Sequence, residues 1–139
     1  MLFDEAYYEK DVFSFREAFK KTFGDDIIEL SHEMNPDYYV SFKTVFRYLP
    51  LMYQIEVNAE FRTFGIMIRD AEGASNGLHL IKPVENVLNK KNIINSVAVL
   101  QDVLKQNNFN LYLSVNDKIY RKNADGIKRV KDIRDIRNG

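Results

Sequence analysis

The stretch that decides the fold is YEKDVFSFREAFKKTFG, residues 8–24. Its apolar side chains recur at helical intervals, at Tyr8, Val12, Phe15, Phe19 and Phe23. Because an α-helix turns once in about 3.6 residues, this spacing places all of them on one face. Gly24 follows the last of them, at the position where glycine commonly ends a helix. We expect a helix over residues 4–23, with Asp4 at its N-cap.

The chain after this helix is ambiguous between helix and strand. Residues 27–30 fit either structure. Over residues 36–49, Asn35-Pro36-Asp37 is typical of an N-cap with proline at the first helical position, whereas the aromatic and β-branched side chains favour a strand. We expect a helix over residues 36–49 that ends at Pro50, and a strand is the alternative.

The rest of the chain alternates between strand and helix patterns. We expect strands over residues 52–57, 61–70, 78–82, 109–115 and 118–122, and a helix over residues 84–106. Asn76-Gly77 and Asn116-Asp117 are predicted turns. The basic C-terminal segment, residues 127–137, has apolar residues spaced for an amphipathic helix. The predicted fold class is α+β, with a helical N-terminal part, a small mostly antiparallel sheet and helices packed on one face. Residues 1–139 are expected to form a single domain.

Composition excludes several classes of chemistry. The chain has no cysteine, which rules out disulfides, thiolate nucleophiles and cysteine-bound zinc. The longest uninterrupted apolar run, residues 48–53, is too short to cross a bilayer and contains Pro50. The first five residues lack the basic and apolar regions of a signal peptide. We expect a cytoplasmic protein with no membrane partner.

Residues for catalysis or metal binding are sparse. The two histidines, His32 and His79, are far apart in sequence. His32-Glu33 matches the first half of the metalloprotease helix motif, but Pro36 occupies the position of its second histidine. The Gly73–Gly77 loop fits neither phosphate-binding glycine motif. We therefore expect no catalytic site, no metal and no cofactor, and we keep a small enzyme with an unrecognised site as an alternative.

Charge is unevenly distributed along the neutral chain. Residues 1–37 hold ten acidic and four basic side chains, whereas residues 118–139 hold eight basic and three acidic ones. Either the two ends lie together and neutralise each other, or one end presents its charge to a partner.

Two binding hypotheses follow from this distribution. In the first, the chain is a non-enzymatic protein-binding or inhibitory factor, of the bacterial immunity or phage-encoded inhibitor kind. Its acidic surface, with aromatic anchors, would cover a basic protein. The residues predicted for it are Asp4, Glu5, Tyr7, Glu9, Asp25, Asp26, Glu29 and Tyr39. In the alternative, a basic C-terminal helix binds nucleic acid through Tyr120, Lys128, Arg129, Lys131 and Arg134. The sequence does not predict an oligomeric state.

Overall fold

A computed structural model describes residues 5–35 and 41–131 and has the α+β architecture expected from the sequence. The elements in chain order are α1 (Glu9–Phe23), β1 (Ile27–Asn35), β2 (Ser41–Tyr48), β3 (Tyr53–Glu60), β4 (Thr63–Arg69), β5 (Ser75–Gly77), α2 (Leu78–Ile81), α3 (Lys90–Gln106), β6 (Leu111–Val115), β7 (Lys118–Asn123) and β8 (Gly126–Arg129). Short 3-10 turns over Glu5–Tyr8 and Gly24–Asp26 flank α1.

The helix predicted over residues 4–23 is confirmed as α1, which packs on the sheet through its aromatic stripe. Its start was predicted too early, because the α-helix begins at Glu9 with Tyr8, and not Asp4, at the N-cap position. The Phe19 ring stacks on Phe46 of β2 with 4.1 Å between centroids, and the Phe15 ring meets Phe64 of β4 edge-on at 5.3 Å. Helix α3 packs beside α1 and adds Val97 and Leu100 to the same core. One continuous hydrophobic core therefore lies between the two helices and one face of the sheet.

The eight strands form a single antiparallel sheet in the order in which they occur along the chain. Short turns make this order possible. Asn116 and Asp117 join β6 to β7 with φ angles of 52° and 64°, the backbone of a tight hairpin turn, as the sequence predicted. The pairing of β5 with β6 consists of one residue pair, Ser75 with Tyr112. This single pair connects β1–β5 to β6–β8.

The helix predicted over residues 36–49 is wrong where the structure describes it, because residues 41–48 form β2. Four alternate side chains of β2, Phe42, Thr44, Phe46 and Tyr48, are buried. Their packing against the helices outweighs the local preference for a cap at Asn35-Pro36, since aromatic and β-branched side chains at every second residue fit one face of a sheet. Residues 36–40 lie outside the described part of the chain.

The predicted elements around residue 80 are shifted. Asn76-Gly77, predicted as a turn, belongs to strand β5 (Ser75–Gly77), and residues 78–81, predicted as strand, form the short helix α2. The turn before β5 is stabilised by Asp70, whose carboxylate accepts hydrogen bonds from the backbone N–H groups of Glu72 and Ala74. The next helix begins at Lys90 and not at residue 84.

The predicted C-terminal helix is also wrong over its described part. Gly126–Arg129 is strand β8, which pairs with β7. Ile127, the first apolar residue of the predicted amphipathic helix, is 59% exposed. The reason is the turn at residues 124–125, where the side chain of Asn123 accepts the Asp125 N–H and returns the chain alongside β7. Residues 132–139 are outside the described part.

Candidate functional site

The predicted acidic residues fall at opposite ends of α1. Tyr7 and Glu9 lie at its beginning, whereas Asp25, Asp26 and Glu29 follow its end. A helix of 15 residues is about 22 Å long, so these two groups cannot form one compact surface. Glu5 begins the 3-10 turn that precedes α1, and Asp4 and Tyr39 lie outside the described residues.

Two of these residues are engaged within the protein. The Glu29 carboxylate accepts two hydrogen bonds from the Arg16 guanidinium, at 2.7 and 2.9 Å, and these bonds raise the pKa of Arg16. Tyr7 is half-buried, with the guanidinium carbon of Arg62 5.9 Å from its ring centroid. Asp25 and Asp26 are exposed.

The predicted nucleic-acid residues are divided between two faces of the sheet. Tyr120 of β7 pairs with Arg129 of β8, and Lys128 pairs with Arg121. Directly paired residues lie on the same face, and neighbours along a strand lie on opposite faces. Tyr120 and Arg129 therefore share one face, and Arg121 and Lys128 share the other. Lys131 is exposed just after β8, and Arg134 lies outside the described residues.

The face that carries Arg121 and Lys128 is the one opposite α1 and α3, which we call the open face. The assignment follows from β2 and β4. Phe42 and Phe46 contact α1, so Arg47 points away from it. Phe64 of β4 also contacts α1. Arg69 is five residues further along the same strand, an odd number, so it lies on the open face.

A single line of paired residues crosses the open face through all eight strands. Its members, from β1 to β8, are Ile28, Arg47, Gln54, Arg69, Ser75, Tyr112, Arg121 and Lys128. We call this line the cationic row, because it contains four cations and no carboxylate. With strands about 4.8 Å apart, the part from Arg47 to Lys128 spans about 29 Å.

The cations of the row differ in their partners. Arg69 is held by Glu56, with nitrogen–oxygen distances of 3.2 and 3.4 Å. Arg47, Arg121 and Lys128 make no ion pair with any residue in 5–35 or 41–131. The Nε atom of Arg47 is buried and has no acceptor within the same residues. A buried donor without an acceptor is uncommon and costs free energy.

An ion cluster lines a cleft of about 350 Å³ on the side of the sheet opposite the open face. The Lys122 ammonium lies 2.7 Å from Asp70 and also contacts Glu72. Burial opposes ionisation of Asp70, but Lys122 and two backbone N–H groups outweigh it and lower the pKa of the carboxyl. Hydrogen bonds to Asp70 and Glu72 raise the pKa of Lys122. Both groups stay charged near neutral pH, which suits a fixed ion pair better than proton transfer.

The two histidines are placed apart. His32 on β1 contacts the Thr44 hydroxyl through Nδ1 at 2.8 Å, and His79 is exposed on α2. In the described part of the chain, no group of three or more His, Asp or Glu side chains is arranged to hold a metal ion. None of the helices described is both long enough and apolar enough to cross a membrane.

Sequence reasoning missed Arg47, Arg69, Tyr112 and Arg121. Alternation within each strand contained a signal, because a cation between buried positions faces away from the core. The alignment of these residues across strands contained none, because register depends on pairing between distant segments.

Comparisons with protein-family models, curated proteins and solved structures gave no match to this chain. Functional inference therefore rests on the geometry and charge of its surfaces.

Proposed function

We propose that this protein binds nucleic acid through the cationic row, and that it acts by binding and not by catalysis. The observation that carries the proposal is the register of the sheet, which brings Arg47, Arg69, Arg121 and Lys128 into one line.

The chemistry of the row suits a chain of phosphates. Arginine presents a planar set of donors that can bind phosphate through two hydrogen bonds, and three of the four cations are arginines. Gln54 and Ser75 lie between cations in the row and carry neutral donors and acceptors for sugar or base edges. The four cations extend over about 29 Å, a length that suits an extended polymer of phosphates better than a folded acidic protein.

The net charge of zero is compatible with this proposal because the charges are segregated. The exposed carboxylates Asp25 and Asp26 follow the end of α1, away from the part of the row formed by β4–β8. A neutral chain can therefore present a locally positive surface.

The test is binding of fluorescently labelled RNA and DNA at about 50 mM salt, where phosphate contacts are strongest. We expect Lys128→Ala to weaken binding about fivefold and to lower the slope of log affinity against log salt by about 1. Arg129→Ala is the matched control, since it removes one positive charge from the adjacent position on the opposite face. We expect its affinity to stay within about twofold of the wild-type value. A variant with Arg47, Arg121 and Lys128 all changed to Ala should lose binding.

Three outcomes would contradict the proposal. The first is that neither RNA nor DNA binds at low salt. The second is that Arg129→Ala weakens binding as much as Lys128→Ala, which would indicate general attraction to positive charge. The third is that poly-glutamate competes as well as nucleic acid at equal charge concentration, which would identify an acidic polypeptide as the partner.

A second candidate function is the binding of a basic protein at the end of α1. The observation that favours it is the combination of two exposed carboxylates with apolar neighbours. The backbone oxygen of Asp26 accepts the Leu49 N–H at 2.8 Å, and Leu49 and Met52 are exposed. This acidic pole, composed of Asp25, Asp26, Leu49 and Met52, retains part of the acidic surface expected from the sequence.

A further inference from the structure

We infer that His79 adds a pH-dependent contact to the cationic row: its imidazole lies on the open face beside the row and binds a phosphate of the nucleic acid when it is protonated. This inference rests on the proposed function, because it assigns a further binding residue and a dependence on pH to the same surface.

The position of the His79 ring follows from its contact with Gly77. A Cβ atom added at Gly77 would lie 2.7 Å from Cε1 and 2.9 Å from Nδ1 of His79, so the ring occupies the space of a side chain at residue 77. Gly77 pairs with Met67 of β4, and the neighbours of Met67, Ile66 and Ile68, belong to the core. The space above Gly77 is therefore on the open face, and the His79 ring lies there.

The ring lies next to the cationic row. Gly77 follows Ser75 by two residues on the same face of β5, so the two residues are about 7 Å apart along the strand. Arg69, which pairs with Ser75, is the diagonal neighbour of Gly77 at about 7–8 Å. A phosphate that contacts the row near Arg69 is therefore within reach of the imidazole.

The imidazole has donors to offer such a phosphate. His79 is exposed, and within residues 5–35 and 41–131 neither of its ring nitrogens makes a hydrogen bond or an ion pair. In a protonated imidazole both nitrogens carry hydrogen and can donate. A hydrogen bond from a cation to a phosphate is stronger than one between neutral groups, so protonation strengthens this contact.

The charges around the imidazole are largely balanced. Helix α2 packs against β4 and β5. Strand β5 has no titratable side chain, and β4 has one, Arg69, whose charge is paired with Glu56. Tyr112 of β6 is the nearest titratable group beyond β5 on this face, and Lys82, which follows α2, is exposed. No unpaired charge on β4 or β5 therefore opposes protonation of the ring.

The affinity for nucleic acid should rise as the pH falls. Histidine changes its charge between about pH 5 and pH 8, whereas phosphodiesters stay ionised over this range. Because the phosphate attracts the protonated ring, binding and protonation favour each other. We expect about fivefold tighter binding at about pH 5.5 than at about pH 8, with a slope of log affinity against log salt that is steeper by about 1 at the lower pH.

The experiment measures binding of the same labelled RNA and DNA at about 50 mM salt, from about pH 8 to about pH 5.5, with wild-type protein and His79 variants. His79→Gln stays neutral over this range, so it should lose the pH dependence and match the wild type at the higher pH. His79→Lys stays positive and should bind tightly at both ends of the range. His32→Gln is the matched control, because it removes the other imidazole from the opposite face of the sheet and should leave the pH dependence unchanged.

Gly77→Ala tests the position of the ring. The φ angle of Gly77 is −77°, which alanine accepts, and the atoms that the new Cβ would displace are at the end of the His79 side chain. We therefore expect the variant to fold and its pH dependence to shrink, because the ring is moved away from the open face. A full pH dependence in Gly77→Ala would contradict the position inferred for the ring.

The outcomes separate this inference from the proposed function. If the wild type binds equally at both pH values, if His79→Gln keeps the pH dependence, or if His32→Gln also abolishes it, the inference is wrong and nucleic-acid binding stands. If neither RNA nor DNA binds at any pH in the range, both fail. Loss of the pH dependence in His79→Gln, with tight binding by His79→Lys throughout and an unchanged profile for His32→Gln, supports the inference.

Discussion

At the scale of single residues, Lys122 connects two distant parts of the sheet. It lies on β7, and its ammonium reaches Asp70 and Glu72 in the loop after β4. The Asp70 carboxylate also fixes this loop through the N–H groups of Glu72 and Ala74. Because β5 and β6 share only one residue pair, this ion cluster adds to the connection between β1–β5 and β6–β8, beside the hydrogen bond that the Asn76 side chain donates to the Asn110 carbonyl at 2.9 Å.

The Asp70–Lys122 pair predicts a pH-dependent stability. Lys122→Met should lower the free energy of unfolding by about 1–3 kcal/mol near pH 7, because Asp70 keeps its charge in a site with 8% side-chain exposure and loses its partner. The pKa of Asp70 is lowered in the folded protein, so its contribution is present above the ordinary value of 3.8 and is lost as the pH falls through the folded value. The deficit of the variant should therefore shrink below about pH 4.

Urea unfolding of the wild type and of Lys122→Met at about pH 7 and about pH 3 measures this effect. Lys118→Met, an exposed lysine on the same strand, is the control and should change stability little at either pH. An equal deficit at both pH values would mean that packing of the lysine stem, and not the ion pair, stabilises this region.

At the scale of single elements, α3 is fixed at its beginning by Asn89. The Asn89 side chain accepts the Asn92 N–H at 2.8 Å, which satisfies one of the backbone donors that a helix leaves unpaired in its first turn. The first turn of α3 also contains two lysines, Lys90 and Lys91, and no acidic residue. Cations are unfavourable there because the N-terminal end of a helix is positive. The cap is therefore the main local stabiliser of this helix start.

Replacement of Asn89 tests this cap. Asn89→Ala should lower the free energy of unfolding by about 1 kcal/mol. Asn89→Asp should retain or slightly increase stability, since its carboxylate keeps the acceptor and adds a negative charge beside the positive end of the helix. Urea denaturation measures the difference. A shifted midpoint with an unchanged slope of the unfolding free energy against urea concentration indicates a change in stability. An alanine variant as stable as the wild type would show that tertiary packing alone sets the start of α3.

At the scale of the whole molecule, the neutral charge is divided between surfaces. The cationic row crosses the open face, and the acidic pole follows the end of α1. Glu29, which belongs to the acidic N-terminal third, is neutralised locally by Arg16. The two surfaces therefore present fields of opposite sign and can be tested separately.

The acidic pole predicts a charge-dependent protein interaction. Asp25→Lys and Asp26→Lys should each weaken capture of a basic protein from an extract of the native host by about fivefold. Glu9→Lys, at the opposite end of α1, makes the same change in charge and should leave capture unchanged. Mass spectrometry of the captured proteins measures the effect. If all three variants capture the same proteins in the same amounts, the acidic pole is not a binding site.

The sequence by itself determined the elements whose cause is local. The stripe from Tyr8 to Phe23 predicted α1, because helical hydrogen bonds and the apolar face arise within the same segment. Asn116-Asp117 predicted its hairpin turn for the same reason, since the two residues themselves adopt the required positive φ angles. The α+β class followed from the number and spacing of such segments.

The tertiary structure alone decided β2, β8 and the cationic row. Residues 41–48 are a strand because the core accepts their alternate aromatic side chains, and that core is supplied by α1, far away in sequence. The row exists because Arg47, Arg69 and Arg121 come into line through five strand pairings, each with its own register. A shift of one residue in any pairing would move a cation to the opposite face. Local sequence has no information on such a register, because the hydrogen bonds that set it form between segments that meet only in the folded protein.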